Sequence, residues 1–436
     1  MSLESRLLTA LSPWCSAPGW CVAFSGGLDS TVLLHLLVSL SRRMPLPPIR
    51  ALHIQHGLQA AAEAWPEHCR QVCTALGVPL RVRHVQVQPG ASVERAARDA
   101  RYGAFVEELV TGELLLTAQH RDDQAETLLF RLLRGAGVRG LAGMPASRPL
   151  GAGQLLRPLL AASRAELQAY ADAHQLHWVE DPSNGDVQYS RNYLRQQVLP
   201  LLTQRWPQAL TSMARSAGQL REAQELLDDL ARLDLVSLNQ PSRFAWLDLP
   251  SLPLAPLRAL SSARQRNLLR YWLAPLTSLP DSDHWAGFAC LLAAGGDASP
   301  VWRLAAGEIH RADGRLWWLA GSWLQPPTSL NLPLTVSQLQ LPGNGYVRLQ
   351  GAVPVGPLHV AYRQGGERLE ISGRGSRDLK RLLNESGLPA FARGRIPLLL
   401  CGERVLAVAN LPGLDGPFTG AWQLQWQAPT SDRGLS

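Results

Sequence analysis

A short glycine-rich stretch between two apolar runs constrains the fold of this chain more than any other feature. Ser25-Gly26-Gly27-Leu28-Asp29-Ser30 follows the apolar residues 20–24 and precedes the longer apolar run 31–37. The length and apolar content of the second run favour a buried helix, so the glycines lie in a strand-to-helix turn. Two residues without side chains let backbone N–H groups approach an anion, and the serine hydroxyls add donors at the positive end of the helix. The stretch therefore predicts a phosphate-binding turn.

Asp29 distinguishes this turn from other phosphate-binding loops. The stretch lacks the lysine of a G-x-x-x-x-G-K-[ST] loop and the spacing of G-x-G-x-x-G, so neither a Walker-type NTPase nor a dinucleotide binder fits it. A carboxylate beside phosphates repels them unless a cation lies between. We therefore predict that Asp29 holds Mg²⁺ against a pyrophosphate.

Strand-like and helical segments alternate over the first half of the chain. Strands are predicted at 20–24, 49–56, 80–87 and 113–118, and helical stretches lie between them. This order predicts an α/β fold with a doubly wound parallel sheet, whose ligands bind at the carboxyl ends of the strands. The glycine turn, His53 and His120 then lie at one edge of the sheet.

The rest of the chain predicts two further domains. The first domain, residues 1–206, ends near Trp206, and residues 207–325 read as a mainly helical middle domain without a catalytic pattern. The pair Pro326-Pro327 reads as a linker. Residues 333–428 combine short strands with a basic helical piece from Arg377 to Glu385, which predicts a small α+β domain.

Composition indicates a globular, reduced protein. No apolar run approaches the ~18 residues of a membrane span, and the N-terminal residues lack the pattern of a signal peptide. The six cysteines show no C-x-x-C pair and no metal-ligand spacing, so we expect a cytoplasmic protein without structural zinc. The formal charge of +7 suits a polyanionic partner without requiring one. The oligomeric state stays open.

A second polar group follows the predicted strand 113–118. In the segment from Ala118 to Thr127, Asp123 and Glu126 are three apart and Asp122 and Glu126 four apart, so on a helix each pair shares a face. Converging carboxylates need a cation. Spacing alone leaves three choices: a metal, the ammonium group of a substrate, or arginines of the same helix.

The glycine turn resembles the PP-loop of the ATP pyrophosphatases, which adenylate a substrate and release pyrophosphate. Within that superfamily the chain is similar to the tRNA(Ile)-lysidine synthetase family. The resemblance rests on motifs that occur in order along most of the chain, namely Ser25 to Ser30, His53-x-x-His56-Gly57-Leu58, Ala97-Arg98-x-x-Arg101-Tyr102, His120 to Thr127, Arg134-Gly135-x-Gly137-x-x-Gly140-Leu141, Asp181-Pro182-Ser183-Asn184, Arg191-Asn192-x-x-Arg195, Leu379-Lys380-Arg381-Leu382-Leu383 and Arg393-x-Arg395-x-Pro397.

The resemblance implies a reaction and a set of site residues. That family uses ATP to adenylate the wobble cytidine of tRNA(Ile) with a CAU anticodon, and L-lysine then displaces AMP. By this resemblance, Asp29 holds Mg²⁺ and pyrophosphate, and Asp123 and Glu126 receive an amino group of lysine as further catalytic residues. The ATP-binding residues are then Ser25, Gly26, Gly27, Leu28, Asp29, Ser30 and His53, the last of these against the adenine.

The candidate contacts to tRNA are all basic: Arg98, Arg101, Arg134, Arg377, Lys380, Arg381, Arg393 and Arg395. On a helix from about 377, Arg377, Lys380 and Arg381 share one face, with leucines available to pack the other. Lys380 is the only lysine among 42 basic residues. We predict that this basic face binds tRNA phosphates, with an ordinary solvated surface as the alternative.

Two other classes of function compete with this interpretation. One is another enzyme with the same loop, either a tRNA thiolase or an amidating synthetase, and the other is a protein that binds ATP without chemistry. A tRNA thiolase would need cysteines to carry sulfur, whereas Cys69 and Cys73 have the wrong spacing and lie in an apolar helix. An amidating synthetase would need a nitrogen source, and no glutaminase-like cysteine is present. A protein that binds ATP without chemistry has little use for the acids at 29, 123 and 126.

Overall fold

The computed structural model describes residues 2–430 apart from 58–62, 88–92, 280–284, 296–297, 329–330, 335–337, 353, 372–374 and 418–420. Leu58 and the region around Arg374 therefore lie outside the described residues. Two units divide the chain, Met1–Leu226 and Leu227–Ser436.

The first unit alternates strands and helices as predicted. Its strands are β1 Trp20–Ala23, β2 Ile49–Gln55, β3 Leu80–His84, β4 Leu114–Leu116, β5 Ser147–Leu150 and β6 Gly153–Leu156. Its helices are α1 Leu3–Leu11, α2 Leu28–Ser41, α3 Trp65–Leu76, α4 Val93–Glu108, α5 Arg121–Leu132, α6 Val138–Leu141, α7 Arg164–Ala173, α8 Ser190–Tyr193 and α9 Leu199–Arg205, with α10, Ala209–Ser237, running on past residue 226. A π-helical turn, Leu194–Val198, joins α8 to α9.

The sheet of the first unit has the strand order β3-β2-β1-β4-β6-β5. Strands β1, β2, β3, β4 and β6 pair in parallel, and β5 adds an antiparallel edge. The parallel, doubly wound fold predicted from the sequence is confirmed. The direction of winding reverses between β1 and β4, where Trp20 pairs with both Ile49 and Leu114. Loops that leave such neighbouring strands diverge and open a crevice at their carboxyl ends.

Burial explains why β1 and α2 hold their positions. Trp20, Cys21 and Val22 are buried in a strand covered on both faces, and Leu33, Leu36 and Leu37 of α2 are fully buried against the sheet. A parallel strand with both faces covered reads as a continuous apolar run, as this one does. Truncating one of these leucines to alanine typically costs about 2–5 kcal/mol. The glycine turn is thus anchored at both ends.

The second unit contains three sheets of mostly antiparallel strands. Their orders are β7-β10-β9-β8, β11-β14-β17-β18-β15-β16 and β12-β13-β19. The strands are β7 Ser251–Pro253, β8 Val301–Leu304, β9 Gly307–Ala312, β10 Arg315–Leu319, β11 Asn331–Pro333, β12 Gln338–Gln340, β13 Tyr346–Gly351, β14 Leu358–Ala361, β15 Arg368–Ile371, β16 Gly375–Asp378, β17 Leu398–Cys401, β18 Arg404–Val408 and β19 Trp422–Gln427. The helices are α11 Leu254–Ala259, α12 Ser262–Leu273, α13 Trp285–Ala293, α14 Leu379–Glu385 and α15 Ala390–Arg393.

The basic segment near residue 380 differs from its prediction in one respect. Helix α14 begins at Leu379, with Asp378 as its N-cap accepting a hydrogen bond from the Arg381 N–H at 3.0 Å. Arg377 belongs to strand β16, opposite Leu369 of β15. The prediction of one helical face shared by Arg377, Lys380 and Arg381 is therefore wrong, because cap formation by Asp378 fixes the start of the helix after Arg377. Within the described residues, no helix is long and apolar enough to cross a membrane.

Candidate active site

The predicted phosphate-binding turn lies between the end of β1 and the first turn of α2. Gly26 has φ of +82°, and a Cβ there would come within 3.0 Å of Cys69 Sγ, so this position requires glycine. The N–H of Gly27 donates to Ser25 Oγ at 3.3 Å, and the hydroxyls of Ser25 and Ser30 lie 3.0 Å apart. All the residues predicted to bind ATP phosphates, Ser25 to Ser30, are thus gathered at the N-terminus of a 14-residue helix.

Asp29 lies in the first turn of α2 and faces two cationic or protonatable groups. The guanidinium of Arg164 donates to its two carboxylate oxygens at 3.2 and 3.0 Å, and His120 Nε2 lies 3.7 Å from Oδ2. Burial raises the pKa of Asp29, although the charges of His120 and Arg164 oppose the shift. A bound cation would favour the ionised carboxylate that burial disfavours.

A magnesium ion at Asp29 would have to take most of its ligands from elsewhere. Within the described residues, no group of three or more His, Cys, Asp or Glu side chains could hold a metal ion. Mg²⁺ is commonly held by one or two carboxylates, with waters and substrate phosphates completing its six ligands. Asp29 beside a phosphate-binding turn fits that pattern, so the site suits Mg²⁺ arriving with a nucleotide.

Asp123 and Glu126 converge on one cation, Arg195. Its Nε and Nη2 donate to the two oxygens of Glu126 at 2.6 and 2.9 Å, and Nη2 also donates to Asp123 Oδ1 at 3.1 Å. Glu126 is only 2% exposed, and burial raises its pKa while Arg195 lowers it. Burial lowers the pKa of Arg195, but hydrogen bonding to Glu126 together with the charges of Glu126, Asp123 and Asp29 outweighs this, and the net shift of the pKa is upward.

This arrangement answers the question that helical spacing left open. The cation on the acids is an arginine from the π-helical turn after α8, some 70 residues further along, and not one from α5 itself. Asp122 turns away from the pair: its Oδ2 accepts a hydrogen bond from the N–H of Arg164 at 3.1 Å. The predicted convergence therefore holds for Asp123 and Glu126 and not for Asp122.

His120 connects the two acidic positions. It is the N-cap of α5 and is 1% exposed. The backbone N–H of His120 donates to Asp123 Oδ2 at 3.0 Å, and the ring Nδ1 of His120 accepts from the backbone N–H of Asp123 at 3.4 Å. Because Nδ1 accepts, the proton of a neutral ring is on Nε2. That atom lies 3.5 Å from Asp123 Oδ2 and 3.7 Å from Asp29 Oδ2. His120 therefore lies between the carboxylates of Asp29 and Asp123.

His53 lies on β2 beside the glycine turn. Its Nδ1 is 2.9 Å from the carbonyl oxygen of Phe24 and 3.4 Å from Cys69 Sγ. Burial lowers the pKa of His53, which favours the neutral ring. A ring that donates from Nδ1 leaves Nε2 as an acceptor, and this buried atom has no hydrogen-bond partner in the described part of the chain. It can accept a hydrogen bond from an amino group.

The candidate RNA contacts of the first unit are exposed on helices. Arg98 and Arg101 lie on α4, where the Arg98 guanidinium stands 4.6 Å from the centre of the Tyr102 ring. Arg134 follows α5 and stands 5.2 Å from the ring centre of Phe130. Arg98 and Arg134 therefore remain accessible to a partner, whereas burial lowers the pKa of the Arg101 guanidinium.

The candidate RNA contacts of the second unit differ among themselves. Arg377, Lys380 and Arg381 are exposed, and Arg381 pairs with Glu385 at 2.8 Å. Arg393 is half-buried, with its Nε donating to the Leu388 carbonyl at 2.7 Å.

Arg395 requires a correction. It is only 2% exposed and donates to Asn344 Oδ1 at 2.9 Å, to the Ser322 carbonyl at 2.7 Å and to the Gln325 carbonyl. A guanidinium that is buried and committed to internal acceptors stabilises the fold and cannot reach a phosphate at the surface. The prediction that Arg395 binds tRNA is therefore wrong, and sequence reasoning missed the difference because Arg393 and Arg395 look alike in the motif.

Sequence reasoning also left three residues without a role. Arg164 and Arg195 pair with the acids, and His120 lies between them, yet none was assigned to the site. Two of the three stand in motifs that carried the resemblance, His120 in the acidic segment and Arg195 in Arg191-Asn192-x-x-Arg195. Their partners are too distant in sequence for spacing to reveal.

Fold and site together define a PP-loop protein: a parallel sheet whose first strand leads through a Ser-Gly-Gly-Leu-Asp-Ser turn into a helix, with acids from the neighbouring strand end beside it. Residues 1–202 match the PP-loop domain family, residues 252–317 the TilS substrate binding domain and residues 358–426 the TilS substrate C-terminal domain. The chain belongs to the tRNA(Ile)-lysidine synthase family.

The relatives match along the whole chain. The tRNA(Ile)-lysidine synthase of Pseudomonas aeruginosa is 62% identical over 100% of this chain and 99% of its own length. That of Escherichia coli O157:H7 is 42% identical over 89% of this chain and 91% of its own length. Among solved structures, the U34-tRNA thiolase NcsA from Methanococcus maripaludis covers 50% of this chain and 78% of its own, with 17% identity and a TM-score of 0.42, too distant to support an inference.

Proposed function

We propose that this chain ligates L-lysine to the wobble cytidine of tRNA(Ile) bearing a CAU anticodon, through an adenylated base, with AMP and pyrophosphate as products. The observation that carries the proposal is 62% identity to a tRNA(Ile)-lysidine synthase over the entire chain. It favours this ligase over a thiolase, an amidating synthetase or a protein that binds ATP without chemistry. We place the reaction in the cytoplasm.

The first half-reaction transfers the adenylyl group. Cytosine has one exocyclic oxygen, O2, and its attack on the α-phosphorus of ATP forms the base–phosphate bond while pyrophosphate leaves. We assign the pyrophosphate to the turn Ser25 to Ser30 at the N-terminus of α2, where backbone N–H groups and hydroxyls converge. Asp29 would hold Mg²⁺, which would supply charge neutralisation to the pyrophosphate leaving group. The free acceptor at His53 Nε2 suits the adenine amino group.

The second half-reaction replaces AMP by lysine. An amino group of lysine attacks C2, and AMP leaves with the former O2, so the product carries a carbon–nitrogen bond. The attacking amine must be neutral and must lose a further proton. We assign lysine recognition to Asp123 and Glu126, which hold Arg195 in this structure. An incoming ammonium group then shares these carboxylates with Arg195 or displaces it, and one of the two carboxylates can accept the proton that the amine loses.

The three predicted domains divide the work in this proposal. Residues 1–206 carry the chemistry and residues 333–428 bind tRNA away from the reacting base, joined by the middle segment 207–325. The family match at 358–426, a substrate C-terminal domain, supports the role of the last domain, and the match of 252–317 to a substrate binding domain gives the middle segment a share in holding the substrate. The exposed Arg377 and Lys380 are the leading candidates for phosphate contacts in the last domain.

The test is mass spectrometry of tRNA(Ile) after incubation with ATP and lysine. We expect a lysyl adduct on the wobble cytidine, and AMP with pyrophosphate from labelled ATP. Omitting lysine should leave an adenylated base, and a control tRNA with uridine at the wobble position should remain unmodified. Formation of ADP and phosphate, or an adduct that needs no ATP, would refute the proposal.

A further inference from the structure

A group of arginines in the first unit lies at and near Tyr102, with no acidic partner among the described residues. These arginines come from α4, α5, α8, strand β5 and the residue after strand β6; Arg98, Arg148 and Arg157 act on Tyr102 itself, and the charges of Arg98 and Arg191 act on Arg131. We call them the arginine cluster: Arg98, Arg131, Arg148, Arg157 and Arg191.

Tyr102 lies at the centre of the arginine cluster. The guanidinium carbons of Arg98 and Arg148 stand 4.6 and 5.1 Å from its ring centre, and Arg98 Nη2 donates to its hydroxyl at 3.4 Å. Burial would raise the pKa of Tyr102, but the charges of Arg98, Arg157 and Arg148 outweigh it and lower the pKa. Several cations therefore act on one phenol oxygen.

The arginine cluster differs from several other arginines of the unit, which have carboxylate partners. Elsewhere Arg50 pairs with Glu113 at 2.6 Å, and Arg83 with Glu107 at 2.9 Å. Within the described residues, no member of the cluster forms an ion pair; Arg131 and Arg157 donate to backbone carbonyls instead. The pKa of Arg131 is lowered by burial and by the charges of Arg191 and Arg98. Like charges that repel one another in the free protein favour binding of an anion.

Exposed aromatic rings flank the arginine cluster at α8. Tyr189 and Tyr193 are 42% and 50% exposed, and the Tyr193 N–H donates to the Tyr189 carbonyl at 2.9 Å, which places them one helical turn apart. Arg191 lies between them in sequence. Two residues after Tyr193, Arg195 contacts Glu126 and Asp123 of the candidate active site. The rings therefore belong to the same segment that supplies Arg195 to the candidate active site.

We propose that the accessible arginines of the cluster, Arg98, Arg148 and Arg191, with Tyr189 and Tyr193, bind the single-stranded RNA that carries the target base, the arginines contacting phosphates and the tyrosines stacking on unpaired bases. This inference rests on the proposed function for the identity of the RNA. It assigns the strand-holding role to Arg148, Arg191 and the two tyrosines, beyond the arginines predicted from motifs, whereas the buried Arg157 stays inside the protein beside Tyr102.

Chemistry favours a single strand over the other anions. Accessible cations on three segments, α4, β5 and α8, match a chain of phosphates better than one nucleotide, whose phosphates already have the turn at Ser25 to Ser30. Exposed tyrosines stack only on bases that are free of a duplex, and sequence-specific RNA recognition mostly uses such bases. A base must also leave its stack before its O2 can be adenylated.

The test compares two RNAs and two pairs of variants of the full chain. The RNAs are a hairpin with the isoleucine anticodon stem and CAU loop, and a fully paired duplex of equal length. The charge variant is Arg98→Gln/Arg148→Gln, and its control is Arg70→Gln/Arg83→Gln, which removes two exposed arginines that are already paired with glutamates. The stacking variant is Tyr189→Ala/Tyr193→Ala, and its control is Tyr189→Phe/Tyr193→Phe, which keeps both rings.

For the charge variant we expect the slope of log affinity against log salt to fall by about 1.4, and hairpin binding at about 0.15 M salt to weaken roughly tenfold. The stacking variant should bind the hairpin at least about fivefold more weakly with an unchanged slope, and should bind the duplex as before. Both controls should resemble the wild type. Melting temperature and ATP affinity should be unchanged in all four.

Three results would overturn the inference: a charge variant with unchanged slope and affinity, a stacking variant that loses hairpin and duplex binding equally, or a charge variant whose main loss is ATP affinity. Arg98→Gln alone, at an exposed position, provides the same test if the double variant melts early. Lysyl transfer by the wild type separates the two proposals. If the variants change hairpin binding as expected but the wild type transfers no lysine, the proposed function is refuted. If the wild type transfers lysine but the variants bind the hairpin as the wild type does, only the proposed RNA-binding role of the arginines and tyrosines is refuted.

Discussion

The acids of the first unit and the basic segment of the second show two ways of placing like charges together. Glu126 is buried and Asp29 and Asp123 are half-buried, and each is held by an arginine from a distant segment, Arg164 or Arg195. Arg377 and Lys380 are exposed and, within the described residues, form no ion pair, while Arg381 pairs with its neighbour Glu385.

The difference teaches which charges depend on the fold. Removing one partner of a buried pair typically costs about 3–5 kcal/mol, whereas an exposed pair contributes about 0–1 kcal/mol. Buried acids therefore keep a fixed geometry and can serve a reaction. Exposed cationic side chains are not held in one position, and they act through long-range electrostatic attraction, which salt weakens. The experiments below separate these two behaviours, in order of decreasing effect.

Replacing Asp29 by asparagine should have the largest effect. The neutral amide of the variant cannot supply the negative charge that holds Mg²⁺ near the phosphates, and metal stabilisation of a transferring phosphoryl group amounts to several kcal/mol, or about 1,000-fold in rate. Release of AMP and pyrophosphate from labelled ATP measures the loss. Asp172→Asn, at an exposed carboxylate on α7, is the control. Adenylation by the Asp29→Asn protein at the wild-type rate would remove Asp29 from the site.

The next effect concerns Asp123→Asn. One carboxylate of the pair then loses its charge, and truncating a partner of a desolvated charge pair costs roughly 2–5 kcal/mol. We expect lysyl transfer to suffer more than adenylation, and separate assays of the adenylated base and the lysyl adduct measure the two steps. An equal loss in both would show that Asp123 serves Arg195 and the fold instead of lysine.

A smaller effect is expected in the second unit. Arg377→Gln/Lys380→Gln should lower the salt slope of tRNA affinity by about 0.7–0.9 per lost phosphate contact, without changing which base is modified. Arg381→Gln is the matched control, because Glu385 already neutralises that charge at 2.8 Å. A slope that falls equally in control and double variant, or in neither, would break the distinction between free and paired cations.

The smallest effect is a difference between Asp29, in the candidate active site, and Glu166, at the N-terminus of α7, in how their contributions to the free energy of unfolding change with pH. Burial would raise the pKa of Glu166, but hydrogen bonds from Ser163 and the contact with Arg6 lower it to about 2. Its stabilising contribution is therefore present above 4.5 and is lost as the pH falls toward 2. Burial raises the pKa of Asp29 above 3.8, so ionised Asp29 costs stability as the pH rises through its native pKa.

Urea unfolding of Glu166→Gln and Asp29→Asn across acidic to neutral pH tests these opposite signs. Relative to the wild type, Glu166→Gln should be destabilised near neutrality, with the gap closing at low pH. Asp29→Asn should gain relative stability as the pH rises. If the stability of both variants relative to the wild type changed in the same direction with pH, the opposite contributions expected of Glu166 and Asp29 would be wrong.

The amino-acid sequence determined most of what depends on neighbours along the chain, the start of α14 being an exception. The apolar run of β1, the glycines after it and the apolar run of α2 predicted the phosphate-binding turn, because strand, turn and helix formation are local. The capping box of α7, Ser163 with Glu166, and the shared face of Asp123 and Glu126 could be read from spacing of three residues.

Tertiary structure alone decided which cations those acids meet and which arginines remain accessible. Arg164 reaches Asp29 and Arg195 reaches Glu126 only because parallel strands bring loops far apart in sequence to one edge. Arg393 and Arg395 differ by two positions, yet only Arg395 is committed to Asn344 and the carbonyls of residues 322 and 325. A sequence motif specifies the residue types, whereas burial and long-range contacts determine whether a charge is used inside the protein or remains available to a ligand.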